Sequence, residues 1–424
     1  MSELGESPLA AGDRNLGVAE ARAAIHAAIA PMTGSESVPL VHAIGRVLAS
    51  DLVSPIDVPA HDNSAMDGYA FDGALLRADA ATCLRVAGIV YAGTPHHGAV
   101  AAGECLRIMT GAVMPQGCDT VVPQELCRVE QDQVRIEPGT LRRGENRRRR
   151  GEDLALGSAA LRSGRILRPA DLGLIASLGF DRVDVRRRLR VALFSTGDEV
   201  QAPGQPLRPG CIYDSNRFSL GAALQRLGVE VLDLGLVPDD PAALRSTFER
   251  AAAGADAVLT SGGVSVGDAD YTRELMRQMG DVAFWKVAMR PGRPFAFGPL
   301  RGGQGQRAWL FALPGNPVAA LVTFYAFARE ALLVLAGATP EPLPALRVRS
   351  AAAIRKRPGR TEFQRGIVER DGSGHGWQVR LTGAQGAGIL RSMSEANALV
   401  VLGHDQASVA AGDEVEVWLF DALV

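Results

Sequence analysis

Polar, turn-forming residues recur at four points where an apolar β-like run ends. The run RVALFS, residues 190–195, opens into Ser195, Thr196, Gly197, Asp198 and Glu199. Residues 229–234 open into Val237, Pro238, Asp239 and Asp240, and residues 257–260 into SGGVSVGDAD, from Ser261 to Asp270. Residues 308–313 open into Pro314, Gly315, Asn316 and Pro317. Gly262 and Gly263 let the backbone approach a ligand with no Cβ in the way. Serines and backbone N–H groups, Ser261 and Ser265 among them, can cradle a phosphate where the next helix begins. Neither G-x-G-x-x-G nor a Walker A lysine is present. Asp268 and Asp270 would repel a phosphate unless a cation intervened, and hard oxygen ligands beside phosphate suit Mg²⁺. Taken alone, Asp268 reads equally well as a helix cap in a tight turn.

Lys286, Arg290 and Arg293 lie within AFWKVAMRPGRPFAFG. Three cations over eight positions, pinned by Pro291 and Pro294, suit a fixed anion-binding loop; a solvated face is the alternative. The loop at 57–71 carries Asp62, Asn63, Ser64, Met66 and Asp67, and reads as a pocket wall or as a capped turn opening a helix. The basic run Arg147 to Arg150 is followed at once by Glu152 and Asp153, which suggests local neutralisation. His61, His96, His97, His375 and His404 show no zinc spacing. Neither a G-x-S-x-G elbow nor a Cys/His constellation points to covalent catalysis.

These positions require a scaffold that gathers strand ends. Between Arg190 and about Ala336, strands alternate with helical patterns at 219–227, 241–253, 271–279 and 317–335. That alternation predicts right-handed βαβ units in a doubly wound parallel sheet, with ligands beyond the carboxyl ends of the strands. Val18, Ala21, Ile25, Ala28 and Ile29 recur at helical spacing over 17–30. Residues 84–136 break into short β-like runs. A helix is expected from Pro169 to a stop at Gly179. After the Pro-rich stretch TPEPLPAL, strand patterns return to the end of the chain. The domains expected are a discontinuous, elongated linker domain at 15–53 and 145–186, a mostly-β insert at 54–144, the α/β domain at 187–338 and a β-barrel-like domain at 339–424.

Bulk properties narrow the function. The 424 residues carry a formal net charge of −2, so no overall basic field draws the chain to nucleic acid or to a membrane. Five scattered cysteines form neither a C-x-x-C pair nor a disulfide framework, which fits a reducing cytoplasm. The N-terminal residues lack the apolar stretch of a signal peptide. The longest apolar run, Val318 to Ala328, is too short to span a bilayer and reads as a buried helix.

DNSAMDGYA, IMTGA, RRRGED, FSTGDE, IYDSN, SGGVSVGDAD, PGRPFAFG and LPGNPVA occur in this order. Together they resemble the MoeA family of molybdopterin molybdenumtransferases, to which the gephyrin E domain is related. The resemblance implies a cytoplasmic enzyme at the last step of molybdenum cofactor synthesis. It would take molybdopterin-AMP and molybdate as substrates, use Mg²⁺, release AMP and leave molybdenum on the dithiolene sulfurs. It further implies a homodimer, a molybdopterin adenylyltransferase upstream, and molybdoenzymes or their chaperones downstream. Neither a nucleic acid nor a membrane is expected as a partner.

Carried over position by position, the catalytic residues are Asp67, Thr110, Asp153, Glu199, Asp239 and Asp270. Asp239, Asp268 and Asp270 would hold Mg²⁺. Ser195, Thr196, Ser261, Gly262, Gly263, Ser265, Lys286, Arg290, Arg293, Pro314, Asn316 and Pro317 would bind substrate, with Lys286 and Arg290 on molybdate or on developing phosphate charge. Arg290 and Arg293 stand where relatives often have Lys, and Ala387 where they can have Ser. Because the upstream Asp67, Thr110 and Asp153 are included, the strand exits are expected to form one wall of a composite cleft, closed by a neighbouring subunit. Two rival readings stay open: an adenylyltransferase or nucleotide pyrophosphatase on the same pterin-binding fold, and a non-catalytic scaffold of the gephyrin type.

Overall fold

Residues 190–313 contain apolar runs too uniform to leave either face in water, and each becomes a strand covered on both sides. The computed structural model describes residues 15–31, 34–263, 270–302, 305–341, 343–372, 374 and 376–423, with the backbone alone at 270 and 271. Contacts divide the chain into two units. One comprises Met1–Ala49, Gly164–Leu167 and Asp184–Val424; the other comprises Ser50–Ser163 and Arg168–Val183.

The first unit holds the α/β body. Its elements are α1 (Val18–Ala28), β1 (Arg190–Thr196), α2 (Asn216–Arg226), β2 (Glu230–Val237), α3 (Pro241–Gly254), β3 (Ala257–Ser261), α4 (Asp270–Met279), β4 (Ala283–Val287), β5 (Pro294–Arg301), β6 (Arg307–Leu313) and α5 (Pro317–Leu335). From one edge, the sheet runs Asn15–Leu16, β4, β5, β6, β3, β1, β2. The central strands β6, β3, β1 and β2 are parallel. Successive side chains of β1 divide between two cores, as the strand repeat demands. Val191 and Leu193 pack with α1, α2 and α5, while Ala192 and Phe194 pack with α3 and α4. Helices thus cover both faces, as expected.

Of the three cations expected on one anion-binding loop, Lys286 lies instead on β4, opposite Pro294 in an antiparallel hairpin with β5, while Arg290 and Arg293 lie in the turn between those strands. A second antiparallel turn joins β5 to β6, with Arg301 opposite Arg307. Helix α5 has the length and hydropathy of a bilayer-spanning segment, but it is mostly buried in the core. Its middle, Phe324–Ala328, is π-helical, and the Ala326 carbonyl there accepts from Arg22 Nε at 2.8 Å.

The same unit carries the barrel-like domain. Strands β7 (Ala345–Ser350), β8 (Thr361–Arg370), β9 (Trp377–Leu381), β10 (Ala398–Leu402) and β11 (Glu414–Leu419) pair in the order β8, β9, β7, β11, β10. β10 then pairs back to β8, closing the ring and removing its edges. Met289–Arg290 adds to the start of β8 in parallel.

The second unit centres on six strands in the order Thr120–Pro123, Gly68–Phe71, Glu104–Ile108, Thr82–Val90, Gln133–Ile136 and Arg128–Glu130. Both sheet faces are covered, with Ala70, Leu106 and Ile108 on one side and Tyr69, Phe71 and Cys105 on the other. A Cβ on Gly68 would fall 2.0 Å from the Val122 carbonyl oxygen, so only glycine permits this strand approach. No helix opens after Asp67; Gly68 begins a strand. Helix Pro169–Ser177 starts on its proline, and Gly179 beyond it has φ +88°.

Phe297 is fully buried, stacked on Trp309 with ring centroids 5.2 Å apart and 5.3 Å from the Phe311 ring. Phe297→Ala is expected to lower unfolding free energy by about 3–5 kcal/mol, read from urea denaturation.

Candidate functional site

Register brings the strand exits level. Ser195 lies opposite Ser261 and Thr196 opposite Val237, while Ser261 lies opposite Leu313. The Gly262 N–H continues the ladder by donating to the Leu313 carbonyl at 3.1 Å. Gly262 has φ +97°, and a Cβ there would sit 2.5 Å from the Thr196 carbonyl oxygen. That close approach is what the paired glycines allow. A Cβ on Gly315 would meet Gly262 Cα at 3.9 Å, so the loop after β6 lies against the loop after β3. β4 runs in the same direction as β6, because each is antiparallel to β5. Lys286, near the end of β4, therefore faces the same edge of the sheet as the other exits.

Acids and hydroxyls interlock at this edge. The Thr196 hydroxyl donates to Asp239 Oδ1 in a short bond, and the Asp239 N–H donates to Asp198 Oδ1 at 3.2 Å. Asp198, Glu199 and Asp239 are exposed. Asp240 caps α3 through the Ala243 N–H at 2.8 Å. Ser195 Oγ donates to Asp214 Oδ1 at 3.1 Å and lies 3.1 Å from Ser261 Oγ. Ser195 has one hydroxyl proton, and an ionised carboxylate can only accept, so Ser261 is the donor between the two serines. Asp214 also accepts from the Arg217 N–H and from Arg217 Nε, each at 3.1 Å, and Arg217 Nη1 reaches Asp233 at 2.5 Å. Burial pushes the Arg217 guanidinium down, but its bonds to Asp214 and Asp233 outweigh that and raise it. The Asn216 amide donates to the Gly315 carbonyl at 2.6 Å.

A cavity of about 240 Å³ lies in the same unit, where the Arg290–Pro291 turn meets the barrel. Arg290, Arg355, Arg365, Glu362, Gln364 and Gln385 give it its polar lining. Arg365 is fully buried, its Nε donating to Ser392 Oγ at 3.0 Å and its Nη2 to the Gly386 carbonyl at 3.0 Å. Burial, with Arg290 nearby, pushes this guanidinium down to about 10. Three arginines against one acid, Glu362, leave the lining net positive, which favours an anion there. The turn rests on α5: a Cβ on Gly292 would lie 2.3 Å from Thr323 Oγ1 and 3.3 Å from the Ala319 carbonyl oxygen. The Ala387 carbonyl accepts from the Val318 N–H at 3.1 Å, so that position binds through its backbone.

Of the expected set, Ser195, Thr196, Asp239, Ser261 and Gly262 come together directly. Gly263 packs toward Thr196 and Thr272. Glu199 follows on the same exit, and Pro314, Asn316 and Pro317 form the loop into α5, with Asn316 at its N-cap and Pro317 in its first turn. Arg290 lines the cavity. Arg293 stands at the end of the same turn, its backbone carbonyl accepting from the Val287 N–H at 2.8 Å. Ser265 and Asp268 lie outside the described residues, and Asp270 is described only as the first residue of α4. Among the described residues, no cluster of three His, Cys, Asp or Glu side chains could hold a metal by itself.

Asp67, Thr110 and Asp153 belong to the other unit. There Asp67 Oδ1 accepts from both the Thr110 hydroxyl and the Thr110 N–H at 2.7 Å. These two bonds hold its carboxyl below the ordinary value. Asp153 is exposed, with its N–H donating to the Val58 carbonyl at 3.1 Å. Two of the four arginines in the basic run have acidic partners, though not the acids that follow it. Arg150 pairs with Asp57 at 2.6 Å and Arg147 with Asp62 at 3.5 Å. Glu152 instead caps the Arg149 N–H at 2.7 Å.

Asp214, Asn216, Arg217 and Arg365 have no place in the expected site, and Asp198 enters it only as a strand-exit acid without a stated role. Asp214 and Asn216 carried a signal in the motif IYDSN, whose residues had no assigned task. Arg365 carried none, because an arginine in an amphipathic strand reads as exposed.

Three family models match in succession: the MoeA N-terminal region (domain I and II) over residues 16–179, the probable molybdopterin binding domain over 192–334, and the MoeA C-terminal region (domain IV) over 347–420. A molybdopterin molybdenumtransferase of Haemophilus influenzae is 40% identical over 393 residues, covering 92% of this chain and 95% of the relative. Gephyrin of Dictyostelium discoideum is 30% identical over 92% of this chain and 60% of its own length. The crystal structure of a molybdopterin biosynthesis moeA protein from Pyrococcus horikoshii OT3 superposes with a TM-score of 0.81 at 28% identity, covering 96% of this chain and all of that one.

The Asp67–Thr110 contact is open to a direct test. Thr110→Val should raise the Asp67 titration midpoint towards the ordinary value of about 3.9, read by carboxyl NMR. Because the folded value is depressed, Asp67 contributes stability above its unfolded value, and that contribution is lost as pH falls through the folded one. The variant should therefore be less sensitive to acid at this site.

The motifs, the strand-exit architecture and the similarity along nearly the whole length agree: the chain belongs to the MoeA family.

Proposed function

We propose that this protein is a molybdopterin molybdenumtransferase, which takes adenylylated molybdopterin and molybdate, releases AMP and leaves molybdenum on the dithiolene. The observation that carries the reading is the cation-lined cavity beside a sheet edge whose exits bear hydroxyls and exposed acids. The substrate brings its own nucleophiles in the dithiolene sulfurs, so the protein's task is positioning and charge stabilisation. Arg290 would hold molybdate, the buried Arg365 would add to the positive potential of the cavity, and Lys286 would lie near the developing phosphate charge. The family resemblance also assigns catalytic roles to Asp67, Thr110 and Asp153.

Oxygen donors such as Asp239 fit Mg²⁺, and Asp268 and Asp270 would supply the further ligands the described residues lack. Bound there, Mg²⁺ would offset the negative charge of the pyrophosphate. Thr196 and Asp198 orient Asp239 for that contact. The Ser195 and Ser261 protons are committed to the Asp214 chain and the Gly262 N–H to the Leu313 carbonyl, which leaves the Gly263 backbone N–H as the phosphate donor among the described residues of this loop.

The setting we infer is the cytoplasm, which five unpaired thiols fit. The working form would be a homodimer, with a molybdopterin adenylyltransferase upstream and molybdoenzymes or their chaperones downstream.

Incubation with adenylylated molybdopterin should release AMP only when molybdate is added. Release without molybdate would indicate a pyrophosphatase or adenylyltransferase, and absence of release with bound substrate a scaffold. Arg290→Ala, at an exposed position, should raise half-saturating molybdate about ten-fold or more. Arg290→Lys should retain most of the affinity. Unchanged saturation in Arg290→Ala would remove the cavity from molybdate binding.

A further inference from the structure

Asn216 opens α2, and its residue is only 7% exposed. Its Nδ2 donates to the Gly315 carbonyl at 2.6 Å. Its Oδ1 is buried and has no hydrogen-bond partner among the described residues. The amide orientation is not arbitrary. Turning it over would press Oδ1 against the Gly315 carbonyl oxygen at the distance the donor now occupies, which two acceptors cannot share. An orphan buried acceptor is costly and calls for a donor from elsewhere.

The location says which donor. Asp214, two residues earlier, accepts from Ser195 at the end of β1, and Ser195 contacts Ser261 at the end of β3. Gly315, which Asn216 holds, lies against Gly262. Asn216 Oδ1 is thus fixed among the exits of three strands, where an open α/β sheet binds its ligand. Arg217, bonded to both Asp214 and Asp233, anchors the segment from below.

We propose that Asn216 is a substrate-binding residue whose Oδ1 accepts a hydrogen bond from an N–H or O–H group of the substrate. The inference rests on the transferase reading above, which supplies the substrate class. A phosphate oxygen is excluded as the partner, since it too is an acceptor. Two parts of the substrate carry suitable donors: the adenosine, through its amino and ribose hydroxyl groups, and the pterin, through its ring N–H and amino groups.

Calorimetric titration of the full chain with AMP and, separately, with molybdopterin distinguishes the two sources. Asn216→Ala should weaken one of these ligands about ten-fold and leave the other within about two-fold. Asn216→Asp keeps an acceptor but loses the donor to Gly315. It should lower Tm yet bind that same ligand more tightly than Asn216→Ala does. A purely structural residue would show the opposite: Tm would fall in both variants while both affinities stayed at the wild-type value, and that result overturns the proposal. Should the variants fail to fold, crystal structures of the wild-type protein with each ligand decide. A ligand donor within hydrogen-bond distance of Oδ1 supports the assignment, and a water molecule there in both complexes overturns it. If the wild-type protein binds neither ligand, the transferase reading itself fails and this inference with it; normal wild-type binding with unaltered Asn216→Ala affinities sinks this inference alone.

Discussion

The site depends on the register of three parallel strands. Ser195, Ser261 and Leu313 occupy one row across β1, β3 and β6, so their exit loops leave the sheet at the same level. A slip of one residue would send each side chain to the opposite face and exchange the two cores. It would also separate the Ser195–Ser261–Asp214 chain and move Gly262 away from the Thr196 carbonyl. The hydrophobic packing on both faces is therefore the agent that aligns polar groups it never touches. Phe194 and Leu193 face opposite cores, and each resists the slip for its own reason.

Above that row, the chemistry is arranged by short polar chains. Asp239 is held from two sides by groups on the neighbouring exit, so its free geometry is narrow. The buried Asp214 carboxylate, with a side chain only 1% exposed, has Arg217 as its counter-charge and two N–H donors from the same residue. Such an arrangement is costly to break, because a lone buried charge remains if either partner is lost. It sets the proton direction in the serine pair, and with it which groups at the edge can donate.

Much of this could be read in the chain. The alternation of strand and helix located the exits, and the glycines at 262 and 263 announced a close backbone approach. What could not be read follows from physical causes. The hairpin of β4 and β5 contains Pro291, Gly292 and Pro294, all turn-formers, so the turn obscured the strands that flank it. Register leaves no trace in strands buried on both faces, since there is no polar alternation to mark it. Arg365 was invisible because burial of a guanidinium depends on a carbonyl and a hydroxyl supplied by residues 21 and 27 positions away. The basic run at 147–150 looked to the acids beside it, whereas the acidic partners of Arg147 and Arg150 lie 85 and 93 residues earlier in the chain.

The two-residue pairing of Met289–Arg290 with β8 has a consequence for how such proteins can change. A terminal barrel would ordinarily be free to be exchanged or lost as a module. Here its first long strand borrows backbone hydrogen bonds from the α/β body, and Arg365 on that strand lines the same cavity as Arg290. Removing the barrel would expose an unpaired edge on the body and leave half a cavity. Inheritance of the two parts is thereby coupled: a substitution that reshapes the turn at 290–294 must be matched within the barrel, although the two stretches are about seventy residues apart in sequence.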